Sequence, residues 1–142
     1  MSIIWKKVPY DEERGEFERT SKQFSDDSKA LEENKKNIRN KYSQSSVVKL
    51  QSKYWQMMEN TDSWETDTIS KIQSAIGSNS SSSGSRSIEN VLKEFLTGSV
   101  RAPIVLQYNE GKSYYLVAGN TRMMVARMLG ISVKVAMIKS DW

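Results

Sequence analysis

Hydrophobic and polar positions are patterned most regularly near the carboxyl end of the sequence. The apolar run from Tyr114 to Ala118 predicts a strand, and residues 123–129 are good helix formers with no internal Gly or Pro. Gly130 stands where a left-handed residue commonly ends a helix, and alternating apolar residues over 133–138 predict another strand. The pattern therefore predicts a strand, a tight turn, a helix and a strand in succession.

A helix and a hairpin are predicted just ahead of this stretch. Residues 88–96 carry an apolar face at helical spacing, and Ser87 is a candidate cap for that helix. Residues 102–108 predict a strand, which a hairpin turn at 109–112 connects to the next one. A short first strand is also predicted at the amino end, before Pro9.

The amino-terminal half is dominated by helical spacing. Residues 24–42 form either a surface helix with a thin apolar stripe or a partly ordered connection. Apolar residues at helical steps over 47–58, and again over 62–77 after a capping start, predict two amphipathic helices. These helices would form a hairpin that covers the sheet or makes its own lobe. Residues 78–87 are Ser-rich and predict a flexible linker.

Composition narrows the class of protein. The 142 residues suggest one domain and contain neither cysteine nor histidine, which excludes disulfides, cysteine or histidine nucleophiles and ordinary zinc sites. No apolar run approaches the roughly 20 residues of a membrane span, and the start lacks the charge order of a signal peptide. We therefore expect a soluble cytoplasmic protein without a membrane partner.

Charge is distributed unevenly, although the net charge is only +4. Residues 1–77 hold 13 Lys or Arg and 13 Asp or Glu, whereas residues 78–142 hold 8 and 4. The whole positive excess therefore lies in the half with the regular pattern. Such a field favours a phosphate-bearing partner.

The turn between the predicted strand and helix combines four residues suited to an anion: Gly119, Asn120, Thr121 and Arg122. Glycine lets the backbone approach a ligand, and the first amides of a helix are unpaired donors at its positive end. A hydroxyl and a guanidinium add to this, so the turn favours a phosphate. The alternative is that Asn120 or Thr121 only caps the helix and that Arg122 is a solvated first-turn residue.

Three short segments carry a family resemblance. The sequence LVAGNTR at 116–122, ARMLGI at 126–131 and APIVL at 102–106 resemble the ParB/sulfiredoxin superfamily, in particular small ParB-like nuclease-domain proteins of tailed phages. In that family the G-x-x-R turn binds nucleotide phosphates. The resemblance thus implies phosphate binding at Gly119, Asn120, Thr121 and Arg122, with ATP or CTP as the candidate nucleotide, and host cytoplasm as the location of a phage-encoded chain.

The resemblance also implies a fold and a division of the chain. The expected class is α+β, or α/β, with a small mixed sheet, helices and a helical segment inserted in the amino-terminal half. Residues 88–142 would be the motif region and would form a single domain with 1–20, a strand and a charged loop. Residues 21–77 would be the helical insertion or lobe, and 78–87 the linker.

Three features of the sequence limit the activity that the resemblance can imply. Sulfiredoxin chemistry needs a cysteine in the turn, so its absence excludes that reaction. Asn120 and Thr121 stand where the partition proteins carry a further glutamate or arginine, so CTP selectivity is not expected. Centromere recognition is not expected either, because those proteins carry a helix-turn-helix domain downstream of the motif and this sequence stops at Trp142. Metal-dependent cleavage needs clustered carboxylates, and the motif half has none, so the residues assign no metal site. NTP hydrolysis with Mg²⁺ and a ParB-like nuclease activity stay open, with catalytic residues unassigned.

Weaker candidates lie outside the turn. Pro9 and Arg14 resemble the Pro and Arg segment that follows the first strand in the family and reaches the nucleotide, within an otherwise charged loop at 11–19. Arg86 ends the linker and could reach a phosphate, although a free surface arginine is the alternative. Glu110, with the acids of residues 11–13, is a speculative ligand for Mg²⁺.

A second surface mixes lysines with aromatic residues: Lys49, Lys53, Tyr54 and Trp55. Rings stack on bases and lysines follow phosphates, so the group is a candidate nucleic-acid or partner surface. Core packing of the aromatic residues and solvation of the lysines is the alternative.

Two hypotheses of function follow. The first is a phage-type ParB-like domain that binds nucleotide or DNA phosphate at the turn, with NTP hydrolysis or a DNA-linked activity open. The second is a non-enzymatic interaction module on the same scaffold, which would bind a host protein through Tyr54, Trp55, Met57, Met58 and Trp64. The oligomeric state is not predicted.

Overall fold

The computed structural model describes residues 3–55, 57–61 and 88–142. These residues form mixed sheets with helices, so the α+β class is confirmed. The predictions made for 62–77 and for the linker at 78–87 lie outside the described residues.

A five-stranded sheet forms the centre of the described structure, with strand order β2-β7-β5-β6-β3. The central strand β5 runs antiparallel to β6 and parallel to β7. The edge strand β2 is antiparallel to β7, the edge strand β3 is parallel to β6, and β1 pairs separately with β4 in parallel. The strands are β1 (Ile4–Lys6), β2 (Val47–Lys49), β3 (Met58–Glu59), β4 (Ser99–Arg101), β5 (Ile104–Tyr108), β6 (Ser113–Ala118) and β7 (Lys134–Lys139).

Helices cover both faces of this sheet. In chain order they are a 3-10 turn (Tyr10–Glu13), α1 (Arg14–Gln23), α2 (Ser28–Gln44), α3 (Ser52–Trp55), α4 (Ile88–Thr97) and α5 (Asn120–Leu129). None of the helices described is both long and apolar enough to cross a membrane.

Alternation along the strands separates two cores. Ile104 and Leu106 of β5 pack with Phe17 of α1 and Ile38 of α2, whereas Val105 packs with residues of α4 and α5. Successive strand side chains point to opposite faces, so both faces of β5 are apolar and buried. The sheet is therefore a middle layer between α1 with α2 and α4 with α5.

The helix predicted over 47–58 is wrong. The structure has β2, the single-turn α3 and β3 in this stretch. Val47 and Val48 are β-branched and pair with Val135 and Ala136 of β7, so pairing with an existing strand overrides the helical spacing. The described part of the expected lobe thus supplies both edge strands of the central sheet.

The charged loop expected at 11–19 is also wrong, because the chain forms the 3-10 turn and α1 there. Phe17 is fully buried, and the buried Thr20 and Ser21 donate their hydroxyls to carbonyls one turn earlier in the helix. The buried face of α1 therefore contains two polar residues, so the sequence shows no regular apolar spacing that would predict this helix. Residues 24–42, for which two alternatives stood, contain most of α2, which Asp27 caps by accepting a hydrogen bond from the Ala30 amide at 2.8 Å.

Gly119 connects β6 to α5 where two backbone segments meet closely. Its φ is 102°, and a Cβ built on it would lie 2.7 Å from Cβ and 2.8 Å from Cα of Pro103. Gly130, which ends α5 at φ 69°, has open space around it. Both glycines adopt left-handed backbone, but only Gly119 also lacks room for a side chain.

Gly119→Ala should destabilise the fold much more than Gly130→Ala. The left-handed conformation alone costs alanine about 1 kcal/mol at Gly130, and the clash with Pro103 should raise the cost at Gly119 to about 3 kcal/mol. Urea unfolding followed by circular dichroism measures both. Equal losses would show that Pro103 moves aside without cost.

Candidate functional site

The amino end of α5 is the first part of the candidate site. Gly119 is the cap residue, no side chain caps the helix, and its first turn carries no acidic residue. The amide of Met123 makes the first helical hydrogen bond, to the Gly119 carbonyl at 3.0 Å. The preceding amides are the donors that a helix leaves without a partner inside it. This end of α5 therefore keeps its positive potential.

Asn120 and Thr121 lie inside the first turn of α5 and are partly exposed, as is Gly119. The Asn120 side-chain nitrogen lies 3.3 Å from the Met124 sulfur, directed along the helix. Capping by Asn120 or Thr121, the alternative drawn from the sequence, is therefore not what the structure shows. The Thr121 hydroxyl belongs to the same turn as the first amides of the helix.

Arg122 is buried, with only 5% of its surface exposed. Its guanidinium donates a hydrogen bond to the Arg101 carbonyl at 3.2 Å and lies 3.5 Å from the Glu13 carboxylate. Burial and the neighbouring charge of Arg101 lower the pKa of Arg122, while Glu13 and Glu94 act in the opposite direction. Arg122 is thus neither a solvated first-turn residue nor a free cation.

A second ion pair lies beside the first. The Arg101 guanidinium donates two hydrogen bonds to the Glu94 carboxylate, at 2.8 and 3.1 Å, and its backbone amide donates a third at 3.2 Å. Burial raises the pKa of Glu94, but the hydrogen bonds from Arg101 outweigh this, so the pKa is lowered. We call Glu13, Arg122, Arg101 and Glu94 the charge network; its two positive and two negative side chains cancel.

Sequence reasoning missed two members of the charge network, Glu94 and Arg101, which carry no motif. It placed Glu13 in a charged loop and considered it only as a speculative Mg²⁺ ligand, not as the partner of Arg122. Glu13 reaches the network because β1, which shortly precedes the 3-10 turn, pairs with β4, the strand that carries Arg101. A pairing of this kind gives no local signal in the sequence.

The other predicted site residues lie away from this turn. Arg14 is exposed on α1, 3.7 Å from Glu18, and Glu110 is in the β5–β6 hairpin, 3.9 Å from Lys112. The hairpin turn precedes β6 and Gly119 follows it. The length of this strand, about 20 Å, therefore separates Glu110 from Gly119. Arg86 lies outside the described residues. Within the described ranges, no three carboxylates gather as a metal site would need.

The aromatic residues of the predicted lysine and aromatic surface pack against the core. The Tyr54 ring packs 4.5 Å from that of Tyr114, with the Lys53 ammonium 5.0 Å from the Tyr54 ring centre, and Trp55 packs against the same core. Lys49 is exposed and lies opposite Lys134, a basic residue that sequence reasoning missed. Lysines on an edge strand also prevent unwanted sheet pairing, so both interpretations of the lysines stay open.

The residues predicted to anchor a protein partner differ in their exposure to solvent. Met57 is 47% exposed, whereas Met58 is buried in the core below α5. Tyr54 and Trp55 are partly buried, and Trp64 lies outside the described residues. Among the described anchors, Met57 alone presents a largely free side chain.

Comparison with known proteins adds no family. No family model, no curated protein and no solved structure matches this chain. The case for a function therefore depends on the geometry of the turn and on the residues themselves.

Glu13→Gln should destabilise the protein by about 2 kcal/mol. The substitution removes the carboxylate that faces a buried guanidinium, and an uncompensated buried charge is costly. Thermal and urea unfolding measure the loss. Glu12→Gln, an exposed neighbour on the same 3-10 turn, should stay within about 0.5 kcal/mol of the wild type. Equal effects would mean that the pair with Arg122 contributes nothing.

The stability supplied by Glu94 should depend on pH. Because its pKa is lowered in the fold from 4.5, its contribution is complete above that value and is lost as pH falls through the folded pKa. Glu94→Gln should therefore be less stable than wild type at pH 7, and the difference should shrink in acid below pH 4.5. Unfolding curves across this range measure it. Arg101→Met should remove the same pH-dependent part; an undiminished acid dependence in that variant would contradict the assignment.

Proposed function

We propose that this protein binds a phosphate-bearing ligand, a nucleotide or a nucleic-acid strand, at the amino end of α5. The observation that supports this most directly is the Gly119 turn, where the cap residue has no side chain and the first turn of α5 carries no acidic residue. Thr121 adds a hydroxyl at the partly exposed surface. Exposed amides at the positive end of a helix form a general anion site.

The phosphate would be held mainly by the backbone. Arg122 already faces Glu13, so its charge becomes available only if the ligand displaces that carboxylate. A phosphate group carries more negative charge than a carboxylate and has three acceptor oxygens, which makes such an exchange favourable in principle. We therefore expect modest affinity, set by the amides and by Thr121.

The resemblance to ParB-like proteins supplies the nucleotide candidates, ATP and CTP, together with Mg²⁺ as a bridging ion. A DNA strand would offer the same phosphate chemistry and could extend toward Lys49 and Lys134. Glu13 and Glu94, the carboxylates of the charge network, are both paired with arginines, so we assign neither of them a role in hydrolysis.

Thr121→Glu should weaken anion binding without destabilising the fold. A carboxylate in the first turn suits the helix dipole but occupies the place of the phosphate, so affinity for ATP, CTP, GTP or an oligonucleotide should fall at least about tenfold, or about 1.4 kcal/mol. Isothermal titration at low salt, with and without Mg²⁺, measures this.

The matched control for that titration is Asn40→Glu, on the exposed side of α2, which makes the same change in net charge. It should bind nearly as tightly as wild type. Equal weakening in both variants would indicate a diffuse charge effect. Failure of every ligand to bind the wild type would remove the proposed function.

A further inference from the structure

The two ion pairs of the charge network differ in how firmly their carboxylates are held. Glu94 accepts three hydrogen bonds from Arg101, one from the backbone amide at 3.2 Å and two from the guanidinium at 2.8 and 3.1 Å. Glu13 and Arg122 approach each other at 3.5 Å, which is longer than the about 2.7–2.9 Å of a charge-assisted hydrogen bond. The Glu13 carboxylate is therefore the easier one for a competing anion to displace.

Glu13 is also the more accessible member of its pair. Its side chain is 16% exposed, against 7% for the side chain of Arg122. The guanidinium of Arg122 has a second contact, the hydrogen bond to the Arg101 carbonyl at 3.2 Å. This bond does not involve Glu13, so it can hold the guanidinium in place when the carboxylate leaves.

Arg122 connects this ion pair to the Gly119 turn. It is the third residue of α5 and lies in the first turn of that helix. Its guanidinium bonds to the carbonyl of Arg101, and Pro103, two residues later, lies against Gly119. One short segment, 101–103, thus contacts both the guanidinium and the turn. An anion at the first amides of α5 is therefore close to the charge of Arg122.

The surroundings of the guanidinium favour an added negative charge. Burial and the charge of Arg101 lower the pKa of Arg122, and Glu13 and Glu94 do not fully offset this effect. An anion of one charge in place of the Glu13 carboxylate would restore the same ion pair and gain no Coulomb attraction. An anion of two charges would gain, because attraction to a fixed cation grows in proportion to the charge.

We infer that Glu13 is an internal competitor, which lets a ligand reach Arg122 only if that ligand carries a terminal phosphate monoester. The inference rests on the proposed function and narrows it. A terminal phosphate has about two negative charges and three acceptor oxygens, whereas each phosphodiester of a nucleic-acid backbone has one charge. The monoester exchanges with the carboxylate and binds both the amides and Arg122. The diester binds the amides alone.

The test compares phenyl phosphate with methyl phenyl phosphate, which differ by one methyl group and one charge at about pH 8. Titrations at low salt, followed by ¹⁵N NMR, should show at least about tenfold tighter binding of the monoester to the wild type. The side-chain Nε–H signal of Arg122 should shift with the monoester and stay in place with the diester.

Glu13→Gln should bind both esters at least about fivefold more tightly than the wild type, because no carboxylate then competes for Arg122. Its matched control is Glu12→Gln, which makes the same change in net charge at an exposed neighbour on the 3-10 turn. The control should change neither affinity by more than about twofold, since an exposed charge is screened.

A double variant, Glu13→Gln with Arg122→Met, keeps the net charge of the wild type. Replacing a buried ion pair by apolar side chains is often neutral for stability, so this variant keeps the test available if Glu13→Gln alone unfolds. Its affinity for the monoester should fall to within about threefold of its affinity for the diester. The missing Nε–H signal in its spectrum also identifies that of Arg122.

Equal binding of the two esters by the wild type, or an undiminished preference for the monoester in the double variant, would overturn the inference and leave the phosphate site standing. Thr121→Glu should weaken the binding of both esters, because both contact the amides. Failure of both esters to bind the wild type and Glu13→Gln would instead remove the proposed function, and the inference with it.

Discussion

The buried guanidinium of Arg122 is the interaction on which the architecture of the candidate site depends. A charge taken out of water must be matched, and Glu13 and the Arg101 carbonyl match it. These contacts join the 3-10 turn, β4 and α5, and the Arg101–Glu94 pair adds α4. The sheet, the first helical turn and the Gly119 turn are therefore fixed relative to one another by charge as well as by apolar packing.

The same network limits what the site can do. Its side-chain charges cancel, so the local positive potential that is not already matched comes from the amino end of α5. An arginine at this position of a turn suggests a ligand contact, but here it first stabilises the fold. A ligand that contacted Arg122 would therefore have to compete with Glu13 for its guanidinium.

Sequence patterns predicted the helices and turns that depend mainly on interactions between residues close together in the chain. The helix predicted over 123–129, its end at Gly130 and the β5–β6 hairpin agree with the structure, because spacing, helix formers and turn glycines all favour them, although the helix begins earlier, at Asn120. The helix predicted at 47–58 is wrong because its apolar spacing suits a helix, whereas in the structure β2 pairs with the edge of β7. The burial of Arg122 could not be predicted from the sequence. Its partner Glu13 lies near the other end of the chain and is brought close by the pairing of β1 with β4.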